Sequence, residues 1–570
     1  AVTVNGGTFD IGAFSDTVGV VTLTNGAITG TTGVLTGTSY AMRNGTVSAV
    51  LGGTGALTKT TAGTVTLSGA NTYTGATIIN AGVLSANTLA NGGVASSIGA
   101  STNVAGNLVL GGGTLQYTGG SVSTNRNYTI SAGKTGTINV STAVSELTLN
   151  GGSAATNGAL TKAGLGILTL NANSAHTGVT TISAGTLKQG AGNFDIIADT
   201  AALVVNAGAT FDMNFLSETI GSLAGAGTID SGATLTTGGN NANTTFSGLI
   251  IGNGGLQKGG TGTFTLSGNN TYTGDTFINA GTLVAASNNA LGGTVRGTTV
   301  NTGGTLNINN ATVGDAVSLV GTGTLTATGA AGITGTVTTT SGSTISTTSA
   351  ASVLTLSGAV TAPGNLLISG AGDVLATNAL NDFSTVRISG AKNVSLRDTN
   401  AITIGNGASS LTGNLTVQAG GDLTVANTVT STGGDITLAG TNFINTAGAT
   451  ALTAGAGKRW LVYANTHTGN NFGGLNSGNQ AVWNTAYPTA VSQAGKRYVF
   501  ANNPGTLTVT STNQSKTYGQ DGAPIVANAY NVTGTFVNAA TFGNVFTQDT
   551  IANTVTGAAT STGSSVTANV

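Results

Sequence analysis

Few side chains in this sequence could catalyse a reaction or bind a metal ion. The carboxylates are the first candidates. Two glutamates (Glu146 and Glu218) and fifteen aspartates are spread over 570 residues. Asp422 and Asp435 both stand in Gly-Gly-Asp-x-Thr contexts, thirteen residues apart, and could stack on adjacent turns. Glycan hydrolysis needs two carboxyl groups about 5 to 10 Å apart, and Ca²⁺ needs about six to eight oxygen ligands. Because the acids are spread almost evenly, we interpret both aspartates as turn residues at the starts of strands.

The two histidines are the other candidates for catalysis or metal binding. His176 lies fourteen residues after a lysine, where two related stretches have tyrosine instead (Tyr73 and Tyr272). A ring that replaces tyrosine in a repeat fills a structural position, so we predict that His176 has a structural role. His467 has no partner nearby in the sequence, and we predict that it is a loop residue.

The related stretches are three copies of one 26-residue unit: Lys59 to Leu84, Lys162 to Leu187 and Lys258 to Leu283. No insertion separates the copies, and glycine recurs four, sixteen and twenty-three residues after each lysine. Such strict register is expected when identical units stack on one another. The lysines could form a row that binds an anionic glycan, or each could bind the carbonyl groups of its own turn. We favour the second interpretation, because charges separated by more than a Debye length of about 8 Å do not cooperate.

Composition excludes several classes of protein. Only 6% of the residues are charged, against roughly 25% in typical soluble proteins, and the net charge is −1 with 93 glycines. Disordered chains combine high net charge with few β-branched residues, whereas valine, isoleucine and threonine recur throughout this one. The sixteen basic residues are scattered, which argues against a nucleic-acid groove or an anionic-membrane patch. The absence of cysteine excludes disulfides, thiol catalysis and cysteine-based zinc sites.

Strand signals are dense and helical periodicity is nearly absent. Runs such as Thr64–Leu67, Ile167–Leu170 and Thr263–Leu266 alternate apolar with polar residues between glycine, asparagine or serine. Single glycines punctuate the chain more often than the Asn-Gly turns of hairpins do. We therefore predict an all-β fold, a right-handed parallel β-helix in which like residues form ladders about 4.8 Å apart. One wall pattern should hold Val65, Leu67, Ile79 and Leu84 of the first copy, Leu168, Leu170, Ile182 and Leu187 of the second, and Phe264, Leu266, Ile278 and Leu283 of the third.

Changes in repeat regularity and aromatic content divide the sequence into four predicted regions. Residues 1–300 are predicted to be β-helix with three super-repeats, and 301–455 a less regular continuation. Both tryptophans and much of the aromatic content fall in 456–503, which we interpret as a cap or connector, because an open solenoid end exposes edges and core. Residues 504–570 are predicted to form a separate small β domain that is incomplete at its end. The residues that we predict to contact a partner are Trp460, Tyr463, Trp483, Tyr487 and Tyr498.

The repeat also resembles a known family. Leu-Thr-Lys at 57–59, Ser-Gly-Ala-Asn-Thr-Tyr-Thr-Gly at 68–75 and Asn-Ala-Gly at 80–82 closely resemble the passenger-associated repeat of bacterial autotransporters. The second copy departs from the pattern around His176. Residues 380–503 are similar to filamentous-haemagglutinin-like surface proteins, and the segment around Tyr518-Gly519 is similar to small β domains of the MBG/YDG type.

The resemblance implies a secreted structural and adhesive stalk or filament subunit on the surface of a Gram-negative bacterium, mediating adhesion or cell–cell and biofilm contact. It implies no enzyme activity, no catalytic or metal-binding residue and no cofactor. The expected partners are glycans or proteins of host or neighbouring cells, or copies of the same protein, with no nucleic acid, and a membrane only through parts outside this chain.

Other functions are compatible with a β-helix. A polysaccharide-binding or polysaccharide-degrading β-helix is the main alternative, and a phage fibre is a weaker one. Since the chain starts at Ala1 without a leader, we expect a processed protein or a segment of a longer one.

Overall fold

The fold is all-β and is built from short parallel strands. A computed structural model describes residues 1–192, 195–512, 515, 530–534 and 542–547. They contain about 23 solenoid turns and nearly no helix, apart from a three-residue 3-10 helix (Ala105–Asn107). In this part of the chain, no helix has the length and apolar character needed to cross a membrane. The predicted parallel β-helix is therefore confirmed, while its right-handed sense stays a prediction.

The chain divides into two compact units, Ala1–Leu325 and Thr326–Val570. The first unit contains the following strands: β1 (Val2–Asp10), β2 (Asp16–Thr29), β3 (Val34–Met42), β4 (Gly45–Val47), β5 (Val50–Gly52), β6 (Leu57–Lys59), β7 (Thr64–Leu67), β8 (Thr77–Ile79), β9 (Val83–Ala86), β10 (Leu108–Leu110), β11 (Thr114–Tyr117), β12 (Val122–Thr124), β13 (Thr129–Ile130), β14 (Thr135–Val140), β15 (Glu146–Leu149), β16 (Ala159–Ala163), β17 (Ile167–Leu170), β18 (Thr180–Ile182), β19 (Gly185–Gln189), β20 (Ala202–Val205), β21 (Ala209–Asp212), β22 (Glu218–Thr219), β23 (Ser222–Gly225), β24 (Thr228–Asp230), β25 (Leu235–Thr237), β26 (Thr244–Phe246), β27 (Leu249–Ile251), β28 (Leu256–Lys258), β29 (Thr263–Leu266), β30 (Thr276–Ile278), β31 (Gly281–Ala285), β32 (Gly297–Val300), β33 (Gly304–Asn309), β34 (Thr312–Val313) and β35 (Ala316–Leu319).

The division between the units falls within β36 (Thr324–Thr328). The second unit contains the following strands: β37 (Ala330–Ile333), β38 (Val337–Thr339), β39 (Thr344–Thr347), β40 (Val353–Leu356), β41 (Val360–Gly370), β42 (Asp373–Ala376), β43 (Asp382–Ala391), β44 (Val394–Arg397), β45 (Ile402–Ile404), β46 (Ser409–Leu411), β47 (Leu415–Gln418), β48 (Leu423–Val425), β49 (Val429–Ser431), β50 (Ile436–Ala439), β51 (Phe443–Asn445), β52 (Leu452–Thr453), β53 (Trp460–Ala464), β54 (Arg497–Phe500), β55 (Leu507–Ser511) and β56 (Tyr530–Gly534).

Strands of successive turns pair in parallel and form continuous walls. In the first unit, one wall runs β12-β15-β17-β19-β21-β24-β27, and in the second unit another runs β37-β40-β42-β44-β47-β50-β53-β54. Apolar side chains alternate with polar ones along most of these strands, so the apolar side chains fill the interior of each unit. The ladder spacing makes each turn about 20 residues long, as in the pairing of Leu57 with Thr77.

The three repeats share the same internal register, as predicted. Their matching ladder partners are Val65 with Leu84, Leu168 with Leu187, and Phe264 with Leu283. All of these side chains are buried. The predicted equivalence of the buried positions is therefore confirmed, although Ile182 of β18 lies in a different sheet from Leu168 and Leu187. The strands β7, β17 and β29 have the predicted bounds.

The last glycine of each repeat is required by the backbone. Gly82, Gly185 and Gly281 have φ values of +64°, +66° and +64°, in the left-handed region that favours glycine. A Cβ atom at Gly82 would lie 2.2 Å from the carbonyl oxygen of Thr61. This close approach explains why glycine recurs at this position in every copy.

The aromatic region from 456 contributes strands to the same wall. Trp460 of β53 pairs with Ile436 of β50, and Val499 of β54 pairs with Tyr463 of β53. Between these two strands, residues 465–496 contain no named strand, although Val482 forms an isolated parallel bridge to Val499 of β54. We call this range the 465–496 connection. A separate capping role for the region stays a prediction.

The predicted small domain at 504–570 is described only in part. β55 and β56 form an antiparallel pair, the one such pairing of named strands in the described part of the chain. Tyr518 and Gly519, which carry the likeness to MBG/YDG-type domains, lie outside the described residues.

Candidate functional site

The lysine of each repeat is buried and binds backbone carbonyl groups. Lys162 donates through Nζ to the carbonyl oxygens of Ala163, Gly164 and Ala184 at 2.9, 2.8 and 3.0 Å. Burial lowers the pKa of Lys162 to about 8, so the ammonium group stays largely protonated at neutral pH. The lysine therefore satisfies orphan carbonyls where the turn leaves its strand.

The other two lysines repeat this arrangement. Lys59 donates to the carbonyls of Thr61 and Ala81, and Lys258 donates to those of Gly259, Gly260 and Ala280. Neither side chain has any exposed surface, and burial lowers the pKa of each. The interpretation as turn-binding residues is confirmed, and the alternative of a glycan-binding row is wrong, because these ammonium groups face inward.

His176 occupies the tyrosine position of the repeat. Its Nε2 lies 3.1 Å from Oγ1 of Thr180, and the hydroxyl of Tyr73 lies 2.8 Å from Oγ1 of Thr77 in the equivalent contact. The Nδ1 of His176 lies 3.1 Å from Oγ of Ser153, and burial lowers the pKa of the ring to about 4. A neutral imidazole with both nitrogens held by hydroxyls confirms the structural role.

A buried asparagine two residues before the tyrosine completes the interior of two copies. Oδ1 of Asn71 accepts from the backbone N–H of Leu51 at 2.8 Å, and Nδ2 donates to the carbonyl of Ser97 at 2.7 Å. Asn270 makes the same pair of contacts with Ile250 and Ala290. We did not predict this role from the sequence, although the recurrence of Asn-Thr-Tyr in two copies could have indicated it.

The two aspartates in Gly-Gly-Asp contexts bind turns in separate rows. Oδ1 of Asp435 accepts from the backbone N–H of Arg459 at 2.9 Å, and Oδ1 of Asp422 accepts from Nδ2 of Asn442 at 2.8 Å. The two carboxylates thus have separate partners, which confirms their assignment as turn residues. In the described part of the chain, no group of three or more histidine, aspartate or glutamate residues could hold a metal ion.

Asp435 belongs to a ladder of side chains that links successive turns. The backbone N–H of Asn393 donates to Oδ1 of Asp373, that of Asn414 to Oδ1 of Asn393, and that of Asp435 to Oδ1 of Asn414. These partners are 20, 21 and 21 residues apart in sequence. We call this row, from Asp373 to the N–H of Arg459, the Asx ladder.

Two further buried ionisable side chains were not anticipated from the sequence. Glu218 accepts from Nε2 of Gln189 at 2.9 Å and from the N–H groups of Ile196 and Ile197 at 3.2 and 2.8 Å. Burial is the main cause that raises the pKa of Glu218 to about 8. These contacts tie the chain around Ile196 to β22, which is a structural role.

Arg126 is the second of these buried side chains. Its guanidinium donates to the carbonyls of Ala90, Gly99 and Ser101 at 3.0, 2.8 and 3.1 Å, and to the Ser101 hydroxyl at 2.8 Å. The long connection between β9 and β10 is thereby held against the wall. Arg126 stands alone among uncharged residues, and no sequence motif indicated its role.

Three of the five predicted partner contacts lie in the core of the second unit. Trp460 and Tyr498 are fully buried, with ring centroids 5.1 Å apart, and the Tyr498 hydroxyl donates to the carbonyl of Leu475 at 2.6 Å. Tyr463 is buried, and its hydroxyl donates to the carbonyl of Thr489 at 3.0 Å. The structure corrects the interpretation of Trp460 and Tyr498, because a partner could reach them only by opening the core, whereas Tyr463 also borders a surface cavity.

The other two predicted contacts, Trp483 and Tyr487, lie on the 465–496 connection and are half-buried. Trp483 stacks on Phe500 with centroids 4.8 Å apart. Tyr487 packs edge to face against Tyr463 at 5.3 Å. Their exposed faces leave direct contact with a partner as a prediction.

His467 lies in a loop, as predicted, between the rings of Trp483 and Phe542 at 5.9 and 5.4 Å. Burial lowers its pKa. Its Nδ1 has no hydrogen-bond partner within the described part of the chain. The ring thus serves as one more member of the aromatic cluster.

Three surface cavities stand out among the described residues. One of about 560 Å³ in the first unit is bordered by Asp275 and Arg296, and one of similar size in the second unit lies beside His467. The third, of about 170 Å³, lies beside Tyr463 and Tyr487. None of these three cavities brings two carboxylates together, so none has the acid pair that glycan hydrolysis needs.

Known proteins resemble parts of this chain. The sequence profile of the passenger-associated-transport-repeat matches residues 57–86, 160–192 and 256–285, which coincide with the three repeats. The curated protein "Adhesin BmaC autotransporter" of Brucella suis biovar 1 (strain 1330) is 44% identical over 228 residues, which cover 38% of this chain and 6% of that protein. The chain therefore accounts for a small part of that relative's length. No solved structure matches significantly.

Proposed function

We propose that this chain is a stretch of the secreted passenger of an autotransporter, and that it serves as a structural and adhesive stalk on the bacterial surface. The observation that carries the proposal is the coincidence of three passenger-associated repeats with three in-register segments of a parallel solenoid. The identity with an autotransporter adhesin supports the same function.

The chemistry of the repeats fits a stalk. Their lysines, the buried Asn71 and Asn270, and their tyrosine or histidine rings make internal hydrogen bonds. The outer face is mainly threonine, serine and the other asparagines. With 6% charged residues and no cysteine, the chain has few groups for ion pairs and none for disulfides. The partners that we propose are glycans or proteins of other cells, or further copies of the chain.

The proposal is tested in the bacterium that makes the parent protein. Antibodies raised against this chain should label intact cells, and external protease should remove the label. Deleting the segment that encodes this chain should reduce adhesion to host-cell monolayers while the rest of the parent protein remains displayed. Labelling that requires permeabilised cells, or unchanged adhesion after the deletion, would contradict the proposal.

The polysaccharide-degrading alternative has no support from the relative or from the three cavities. A direct assay separates the two functions, since an enzyme would release reducing ends from a polysaccharide that the purified chain binds. We expect binding without release.

A further inference from the structure

The third cavity lies where four neighbouring strands of one wall come to an end. In that wall, Gln418 of β47 pairs with Ala439 of β50, and Ala439 pairs with Tyr463 of β53. Ala464 then pairs with Phe500 of β54. The residues at the carboxyl ends of β47, β50, β53 and β54 therefore form one continuous strip.

Small residues make this strip concave. The small residues that line the cavity are Ala419, Gly420, Ala439, Gly440, Ala464, Ala486 and Ala501. Tyr463 and Tyr487 stand at one side, with their rings 5.3 Å apart. The result is a hollow of about 170 Å³ with an aromatic wall.

The aromatic wall is held in place before any ligand arrives. The Tyr463 hydroxyl donates to the carbonyl of Thr489, and the Arg459 guanidinium donates to the carbonyls of Val491 and Gln493 at 2.9 and 2.6 Å. These bonds fix the 465–496 connection, which carries Tyr487, against β53. A prearranged wall lowers the entropy cost of binding.

The polar groups around the cavity are unused. The side chains of Gln418, Asn465 and Tyr487 line it, and none of them donates or accepts a hydrogen bond with any described residue. In contrast, Thr441, which also lines it, donates to the carbonyl of Gly420 at 3.3 Å. Two amides and one phenol offer both donors and acceptors to a ligand.

The lining identifies the class of ligand. None of the lining residues is charged, so an anionic or cationic group would find no counter-charge here. A tyrosine ring can pack against the apolar C–H face of a sugar, while amides bind its hydroxyls, and the hollow has about the size of one pyranose ring. We propose that this cavity binds one neutral sugar residue of a surface glycan, an inference that rests on the proposed adhesive function and names its partner.

The test uses the purified full chain and saturation-transfer NMR, in which signals are observed on the ligand. The probes are methyl glycosides of glucose, galactose, mannose and N-acetylglucosamine, with sialyllactose as the anionic comparison. At least one neutral glycoside should receive saturation. Gln418→Ala and Tyr487→Phe should each weaken its binding roughly fivefold to tenfold, as expected for the loss of one hydrogen bond.

Matched controls separate this site from the rest of the surface. Gln116→Ala removes a half-buried strand glutamine and Phe14→Ala removes an aromatic ring that is 82% exposed, and neither should change binding. Because Gln418→Ala removes no internal hydrogen bond of the described residues, it should fold even if a change at Tyr487 disturbs packing. Binding that all variants retain, stronger binding of sialyllactose, or no binding of any neutral glycoside would overturn the inference.

A cell assay distinguishes this inference from the function on which it rests. If cells that carry Gln418→Ala in the parent protein adhere like wild type, and no glycoside binds, the sugar site is wrong while the adhesive function stands. If deleting the whole segment leaves adhesion unchanged, the adhesive function fails. Binding of a glycoside to the purified chain would still be measurable in that case.

Discussion

The repeats of the first unit and the 465–496 connection of the second unit use polar side chains in opposite ways. In the repeats, a lysine such as Lys162 and an asparagine such as Asn71 point inward and are saturated by the backbone. Around the connection, aromatic rings fill the interior, while Gln418 and Asn465 border a cavity with unused amides. The difference teaches that conspicuous recurrence marks the scaffold, and that an interruption of the rhythm marks the candidate for recognition.

Replacing a repeat glycine should break the scaffold most severely. Gly82→Val forces a β-branched residue into a left-handed conformation and places its Cβ against the Thr61 carbonyl, so we expect a local loss of about 3 kcal/mol or more. Hydrogen exchange of the amides in β7 and β9 measures it. Gly93→Ala is the matched control, since Gly93 has φ of +85° with open space around it, and a similar loss there would contradict the role of close packing.

Replacing a buried lysine should cost somewhat less. Lys162→Met removes the donor from three carbonyl groups, although it also relieves the burial of a charge, and we expect a net loss of about 2 kcal/mol. Lys188→Met, on the half-exposed part of β19, should change stability little. Hydrogen exchange in β16 and β18 measures the change. A gain in protection for Lys162→Met would show that the buried lysine destabilises the fold.

The same lysine predicts a pH dependence. The pKa of Lys162 falls from 10.5 to about 8 on folding. The lowered pKa contributes stability that is fully present above pH 10.5 and is lost as the pH falls through about 8. Relative to Lys162→Met, the wild type should therefore gain stability between pH 8 and 10.5. A flat difference across this range would contradict the burial of the ammonium group.

Glu218 should show the opposite dependence. Its pKa rises from 4.5 to about 8 on folding, so the stabilising contribution is present below pH 4.5 and is lost as the pH rises through about 8. Glu218→Gln should abolish that slope and protect the amides of Ile196 and Ile197 better above pH 8, by on the order of 1 kcal/mol. Glu146→Gln is the control with the same chemical change, and an unchanged slope in Glu218→Gln would sink the assignment.

The smallest effect is expected where the repeat itself varies. His176→Tyr restores the ring of the other copies, which can donate to Thr180 as Tyr73 does to Thr77, so the free energy of unfolding should change by less than about 1 kcal/mol. Thermal unfolding followed by circular dichroism measures it. A large loss would mean that the second copy has diverged into a site of its own.

The sequence predicted the register of the fold well, because strict recurrence leaves little freedom. The burial of Val65 and Leu84 and the bounds of β7 follow from the alternation of apolar and polar residues. It did not predict that Lys59 is buried, since the carbonyls that bind it converge only after the turn has folded. The signal was the parity of the strand, because Lys59 stands two residues from the inward-facing Leu57.

The candidate site was harder to predict. Composition identified the aromatic region correctly but could not separate the inward Trp460 from the half-exposed Tyr487. The distinguishing feature is that Trp460 belongs to a strand of the wall, whereas Tyr487 belongs to the 465–496 connection. The sequence did not predict that Gln418 lines the cavity, because it lies 69 residues before Tyr487. The two residues come together only through the stacking of successive turns.

The Asx ladder has a direction, and this gives the assembly of the chain a direction too. Each side-chain oxygen accepts from the backbone of the turn that follows, from Asp373 through Asn393 and Asn414 to Arg459. A finished turn thus offers ready acceptors as a template for the next one, and solenoids can grow from such a nucleus one repeat at a time. A chain built this way can fold as it is delivered, without waiting for distant residues to arrive.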